Sequence, residues 1–321
     1  MTDSKGASWA KQVQGSHPGS GGFLPYWDFV QADGEPYLTI NPAALPDEWR
    51  RQQEPANVFE IPEIWYGAER SANPYTDNRP WHEVDFCRRL WEKYSEKEVS
   101  LVFEVCCGIC PHGSILAREG IKVVGVDASE GMVRAVSARA AAQNLPISAF
   151  KRDVFQFSIP GDPPDAAILL GNVFPLSRDN RADNSALVSQ LRSVGTFMRR
   201  NTLYLIDCGN PEPPPMVGEY FMEAPRTVRL PFATVSVTGR TFPTDGETLA
   251  TPYIIGYDAA YPSGRVRLEL RGARTFVSAQ HLAALVELSH VFRLEAFHHW
   301  GRPEPGLERG GGPYVAVLRR I

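Results

Sequence analysis

Between residues 101 and 207 short apolar runs alternate with segments of helical periodicity. LVFEV (101–105), KVVGVD (122–127), ISAFKRD (147–153), DAAILLG (165–171) and TLYLID (202–207) read as strands. Helices fall between them: SILAREG (114–120), ended by Gly120, one from Ser129 towards Gln143, and one capped near Asp183. The strands are apolar almost throughout, so both of their faces must be covered. Alternation of that kind builds an α/β domain with a parallel sheet between two helical layers. A further helix leads in, with Asp77 or Asn78 as cap, Pro80 in its first turn, and Trp81, Val84, Cys87, Trp91 and Tyr94 at helical spacing.

After Asp207 the pattern changes. GNPEPPP (209–215) breaks the chain, and residues 226–273 then alternate as strands do, in RTVRLPFATVSV and RVRLELRG, with turn signals at PTDGE and YPSGR. We read an antiparallel β insertion at about 216–275. A helix starts at Ser278 (His281, Leu282, Leu285, Leu288), and two closing strands, FRLEAFHHW (292–300) and YVAVLRR (314–320), flank GRPEPGLERGGGP. Upstream, residues 1–76 are irregular and rich in Gly, Pro and rings. SHPGSGG (16–22) reads as a flexible tail, but Phe23, Tyr26, Trp27, Phe29, Trp49, Trp65 and Tyr66 are too many aromatics for disorder. This stretch is expected to be an arm or lid docked on a body spanning 77–321. Trp27 and Trp49 are read as packing residues.

Composition narrows the partners. Lys+Arg at 33 against Asp+Glu at 37 gives a formal charge of −4, which offers no basic stripe for nucleic acid. No apolar run approaches the ~20 residues of a membrane span, and MTDSKGASWAKQ lacks the plan of a secretory signal. Three of the five cysteines (Cys106, Cys107, Cys110) crowd into five residues, which is no extracellular framework. The expectation is a cytoplasmic protein. An arm of this length leaves exchange between copies, and hence a homo-oligomer, open.

The chemistry gathers at two strand ends. Glu104 closes the first strand and leads into VCCGICPHG (105–113); Asp127 closes the second, about twenty residues on. A glycine turn followed by an acid suits a nucleoside: the turn lets it approach the backbone, and the carboxylate accepts the ribose hydroxyl protons. Dinucleotides and S-adenosylmethionine share that layout. A pyrophosphate asks for G-x-G-x-x-G and an open helix N-terminus, yet only Gly108 and Gly113 are glycine and Pro111 has no N–H. The spacing therefore favours S-adenosylmethionine.

From Glu104 onward the sequence resembles the class I S-adenosylmethionine-dependent methyltransferases, and among them the glycine and glycine/sarcosine N-methyltransferase group. EVCCGICPHG, VDASEGM (126–132), ILLGNVF (168–174) and LYLIDCGN (203–210) carry the likeness, with WYGAERS (65–71) more loosely. It implies a Rossmann-like seven-stranded sheet and binding of S-adenosylmethionine. Asp127 would hold the ribose, Ala128 and Met132 would line the adenine, and Asp153 and Val154 would meet its amino edge. Glu104, Cys106, Cys107 and Gly108 would face the methionine end, with Arg70 on its carboxylate. Leu170, Gly171 and Asn172 would stand at the reacting atoms. Tyr66 and Tyr257 would set π faces near the sulfonium, worth ~0.5–2 kcal/mol when desolvated. Asn172, Tyr66 and Tyr257 are the catalytic candidates, and the partner is a small-molecule acceptor.

Two departures stand out. Cys106 and Cys110 replace glycines of the usual turn, where cysteine asks for ordinary φ and adds bulk. Gly209 stands where the glycine methyltransferases carry an arginine for the substrate carboxylate, so glycine is not the expected acceptor. Two other functions stay open on these grounds. One is cyclisation of the cofactor itself to azetidine-2-carboxylate and methylthioadenosine; the other is a nucleoside-binding protein without catalysis. Asp127 could be a helix cap only, and Asn172 a turn residue. Cys107, Cys110 and His112 have a zinc-like spacing without a second ligand pair, so no metal is expected. His298 and His299, adjacent on a strand, must face opposite sides.

Overall fold

The computed structural model describes residues 56–72, 79–155, 158–174, 184–208, 225–230, 233–241, 251–261, 264–274, 277–302, 304–306 and 314–321. Trp27, Trp49, Asp77, Asn78, Asp183 and Gly209, all singled out above, lie outside that set.

Strand β1 (Ala56–Asn57), a 3-10 turn (Val58–Glu60), helix α1 (Pro62–Ala72) and helix α2 (Arg79–Tyr94) precede the alternating core. That core runs β2 (Leu101–Val105), α3 (Pro111–Arg118), β3 (Lys122–Asp127), α4 (Glu130–Gln143), β4 (Ile147–Lys151), β5 (Ala166–Phe174), α5 (Asn184–Phe197) and β6 (Leu203–Cys208). The insertion supplies β7 (Arg226–Arg229), β8 (Thr234–Thr241), β9 (Thr251–Tyr261) and β10 (Gly264–Arg274). The chain closes with α6 (Ala279–Ser289), β11 (Phe292–His299) and β12 (Tyr314–Arg320).

Seven strands form one sheet in the order β11-β12-β6-β5-β2-β3-β4. It is parallel except at β12, which runs antiparallel to both β6 and β11. The apolar strands bury both faces, as their composition requires. Phe103, Val105, Leu169 and Ile206 meet Leu187, Leu191, Leu282 and Leu285 on one side. Val102, Ile168, Leu205 and Val317 meet Val84, Leu90, Ile115 and Val136 on the other. Each such fully buried side chain contributes about 1.5–3 kcal/mol. Asp165 fixes the start of the layer, one carboxylate oxygen accepting from Ser100 N, Ser100 Oγ and Leu101 N at 2.8–3.1 Å.

The insertion is a second sheet, β1-β10-β9-β8-β7. Its alternation turns Val235, Val237, Tyr257, Ala259, Val266 and Leu268 onto Val58, Ile61, Ile64 and Ala68. Residues 56–72, expected to be irregular, are therefore ordered structure: β1 pairs with β10, and Val58, Ile61 and, from α1, Ile64 and Ala68 enter the insertion's core. The alternation of β8–β10 needs an apolar partner, and the Ile61, Ile64, Ala68 stripe is that partner.

Candidate cofactor site

Strand order reverses between β2's two neighbours, β3 and β5. In an open α/β sheet that switch point, at the carboxyl ends of the strands, is where ligands bind. The turn after β2 lies there. Cys106 has φ 51°, Gly108 φ 54° and Cys110 φ 55°. The turn thus keeps the left-handed path that glycine would take, and both cysteines adopt it, contrary to the ordinary φ expected for them. An L-residue pays roughly 1–2 kcal/mol for that conformation. Room for the sulfurs comes from glycines: a Cβ on Gly125 would lie 2.9 Å from Cys107 Sγ.

Tertiary partners hold the strained turn. Asp127 Oδ2 accepts from Gly108 N at 2.9 Å, and its Oδ1 accepts from Ser129 N at 2.9 Å. Burial raises the Asp127 carboxyl above its ordinary value, against the pull of the Ser129 and Gly108 amides. Beneath the turn lies a buried ionic chain. Glu104 Oε1 meets His112 Nδ1 at 2.9 Å, and His112 Nε2 meets Glu83 Oε2 at 2.7 Å. Glu104 Oε2 accepts from Gly113 N at 2.8 Å and from Cys110 Sγ at 2.9 Å. Burial alone would lower the imidazole's pKa; the hydrogen bonds and charges of both carboxylates outweigh it and raise it to about 10. His112 is therefore an imidazolium at neutral pH. Arg139 of α4, 1% exposed, donates to the Ile109 and Cys110 carbonyls.

The structure brings Tyr66 to this turn. A Cβ on Gly108 would stand 2.8 Å from the Tyr66 hydroxyl, so α1 lays its tyrosine over the one true glycine. Arg70 lies one turn further along α1 and Asn172 lies in β5; their side chains fall outside the described residues. Met132 and Val154 are buried, while Ala128 and Asp153 are exposed. Asp153 Oδ1 accepts from Phe155 N at 2.9 Å. Half-buried Cys106 sits near both acids: burial, with Asp127 and Asp153, pushes its thiol up. Leu170 is buried, and Gly171, with φ 88°, is exposed. Tyr257 is buried in the insertion's core, and the carboxylate of Glu104 is turned beneath the turn.

Among the described residues no group of three or more His, Cys, Asp and Glu is arranged to hold a metal ion. His298 is buried against Tyr94 Oη at 3.0 Å, and His299 is half-buried with Nδ1 3.3 Å from the Trp300 carbonyl oxygen.

Sequence reasoning passed over Glu83, Glu60 and Asp207. Glu60 Oε2 accepts from Gly131 N at 3.0 Å, at the α4 N-terminus, and nothing near it in sequence signals that. Asp207 ends a strand, as Asp127 does, and that was its signal.

The residues present fit an adenosyl ligand: an acid tied to the glycine of a left-handed turn, at the switch point, with Met132 and Val154 buried. Comparison with known proteins agrees. Residues 102–194 match the family described as a methyltransferase domain. A protein of Geobacillus sp. (strain WCH70) that bears a methyltransferase name is 30% identical over 97 residues, 30% of this chain. The chain spans only 37% of that relative's length. The sugar N-methyltransferase KedS8 from Streptoalloteichus sp ATCC 53650 superposes with TM-score 0.56 at 20% identity, over 74% of this chain and 87% of its own. An S-adenosylmethionine-dependent methyltransferase from Clostridium acetobutylicum ATCC 824 gives TM-score 0.60 at 10% identity, over 80% and 98%. Residues 102–194 and the surrounding strands thus share the Rossmann-like fold of these methyltransferases, as anticipated from the sequence.

Proposed function

We propose that this chain transfers a methyl group from S-adenosylmethionine to a small-molecule acceptor, at nitrogen or carbon. The observation that carries the reading is the 2.9 Å tie between Gly108 N and Asp127, which fixes turn and acid together at the switch point. Each Asp127 oxygen has lone-pair capacity beyond its backbone amide, and ribose hydroxyls would use it. Ala128, Met132 and Val154 would flank the adenine and Asp153 would take its amino proton. The backbone of residues 106–108 and Arg70 would hold the methionine end. The bound nucleoside supplies an electrophilic methyl on a sulfonium; the chain's task is alignment and exclusion of water. Tyr66 offers its ring over the turn, Glu104 braces the turn from beneath, and Tyr257 supports α1 from the insertion. Leu170, Gly171 and Asn172 would face the acceptor.

KedS8, as a sugar N-methyltransferase, supports an amine-bearing small molecule as acceptor. The likeness to the glycine and glycine/sarcosine group is one of layout, and Gly209 argues against its acceptor. A net charge of −4 and five free cysteines (Cys87, Cys106, Cys107, Cys110, Cys208) support a small-molecule enzyme of the reducing cytoplasm rather than a nucleic-acid or membrane partner. Cyclisation of the cofactor drew on the altered turn and on Gly209 in place of an acceptor-binding arginine. Cys106 and Cys110 keep the glycine-like path, which removes the first of these grounds, and methyl transfer is the reading we adopt.

The test has two arms. Asp127→Ala is expected to abolish S-adenosylmethionine binding in calorimetry, and unchanged affinity removes the assignment. Mass spectrometry after incubation with S-adenosylmethionine and a panel of amino sugars, amino acids and phenols is expected to show adenosylhomocysteine only when an acceptor is present. Methylthioadenosine without acceptor would return the cyclisation reading; binding without consumption would leave a nucleoside-binding protein.

A further inference from the structure

At the far side of the switch point β5 departs from β6, and the side chain of Asp207 bridges the gap. The two strands pair in parallel register from Ala166 with Leu203 to Leu169 with Ile206, and next at Phe174 with Cys208. Four residues of β5 (Leu170, Gly171, Asn172, Val173) therefore stand against the single residue Asp207. Bulges of this kind end regular pairing and re-aim side chains, and they recur beside active sites. A strand that leaves its ladder needs other partners for its amides. Asp207, 0% exposed, provides one: its Oδ2 accepts from Gly171 N at 3.1 Å. Its Oδ1 accepts from Trp300 Nε1 at 2.9 Å, just past the end of β11. The Trp300 ring in turn lies 5.2 Å from Phe86 of α2, centroid to centroid. One carboxylate thus ties the bulge to the closing strands and to the helical layer.

We infer that Asp207 is a positioning residue of the acceptor end: its carboxylate sets the backbone of Gly171, and so the path of β5 where it leaves β6, without touching either reactant. The inference rests on the reading that methyl transfer takes place at the end of β5. Gly171 N and Trp300 Nε1 are both N–H donors, on separate oxygens of Asp207, and only a carboxylate can accept from both at once. An amide in its place presents one acceptor and one donor, so it fails one partner. Setting a donor against a donor there shifts the bulge, and displacement of about 1 Å at a reacting centre can cost on the order of a hundredfold in rate.

The experiment uses the full chain and three variants: Asp207→Asn, Trp300→Phe, and both together. Amide exchange at Gly171 by NMR and S-adenosylhomocysteine affinity by calorimetry need no acceptor. Methyl transfer is measured with the best substrate from the amine panel. For Asp207→Asn the expected result is faster exchange at Gly171, nucleoside affinity within about twofold, and a kcat at least about tenfold lower. Trp300→Phe removes the competing donor, so the double variant is expected to recover protection and most of the turnover. If Asp207→Asn does not fold, a folded and active double variant gives the same support. The inference is overturned by unchanged exchange at Gly171, by nucleoside affinity falling as far as turnover, or by a double variant that is unfolded or no better than the single one. Failure of the wild-type chain to methylate any member of the panel would count against the methyl-transfer reading instead, and the exchange arm would still judge the tie at Gly171.

Discussion

Gly108 and Gly113 sit five residues apart and their missing Cβ atoms do different work. At Gly108 a methyl would meet the end of the Tyr66 side chain at 2.8 Å, in a backbone already at φ 54°. Tyr66 can turn aside, so Gly108→Ala is expected to stay folded, with a small drop in melting temperature and a large loss of S-adenosylmethionine affinity by calorimetry. At Gly113 the methyl would stand 2.4 Å from Cys110 Sγ, 2.7 Å from Glu104 Oε2 and 2.7 Å from Val123 Cγ1, all buried. Overpacking there costs about 1–3 kcal/mol or more. Gly113→Ala should therefore lower the denaturant midpoint clearly, and an unchanged midpoint would show that the ionic chain under the turn is loosely held. Both glycines are visible in VCCGICPHG, but the sequence gives no means of telling them apart. What separates them is whether the neighbour is a movable hydroxyl or a packed carboxylate.

At the scale of elements, the contact between the 3-10 turn and α4 decides whether Tyr66 reaches the site. Ser129 Oγ donates to the Phe59 carbonyl at 2.8 Å, Gly131 N donates to Glu60 Oε2 at 3.0 Å, and Arg134 donates to the Glu60 carbonyl at 3.2 Å. A carboxylate at a helix N-terminus is favoured by the helix dipole. The helices pack so closely that a Cβ on Gly131 would lie 2.4 Å from the Glu60 carbonyl oxygen and 2.6 Å from its Cα. Backbone cannot rotate away as a side chain can. Gly131→Ala is accordingly expected to lift residues 56–72 from α4: faster limited proteolysis in that segment, weaker nucleoside binding, and near-native helix content by circular dichroism. Equal proteolysis rates would contradict the docking described here. The strands and helices of the body were legible because their apolar periodicity is local. The same WYGAERS and VFEIPE stretches could be read only as a ring-rich arm, since their partner, the inner face of the insertion, begins some 150 residues later.

Across the whole molecule two buried ionisable groups bias stability in the same direction. Glu63 of α1 is 2% exposed and neither carboxyl oxygen has a hydrogen-bond partner of normal geometry. Burial pushes its pKa up to about 7, against its own backbone amide and Arg134. A raised carboxyl pKa means that the native state holds a proton which the unfolded chain releases. The native advantage is complete below the ordinary value near 4.5 and shrinks as pH climbs to about 7. His112 acts likewise at higher pH: its imidazolium stabilises fully below about 6.5, and that contribution is lost as pH rises through about 10. Stability should thus fall towards alkaline pH in two legs. Glu63→Gln is expected to remove the first leg and raise stability above pH 7, by about 3 kcal/mol. His112→Gln should remove the second leg and destabilise at neutral pH. Denaturation curves from pH 5 to 10 on the three proteins would separate the legs, and parallel curves for wild type and Glu63→Gln would deny Glu63 this role.

By itself the sequence determined the order and type of the elements from α2 onward, the antiparallel insertion, and the two strand ends, Glu104 and Asp127, around which a nucleoside site could form. Those features follow from residues near one another along the chain: apolar runs, caps, turns and acids at strand termini. The tertiary structure decided what the same residues do. It let Cys106 and Cys110 hold a glycine's backbone, because Asp127 and Glu104 tie the turn from two sides. It set Glu104 under the turn by giving it His112 and, through His112, Glu83. It gave Asp207 two donors, one from a neighbouring strand and one from a tryptophan 93 positions away. Partnerships of that range depend on how layers stack, and packing between layers leaves no local pattern in a single chain's sequence.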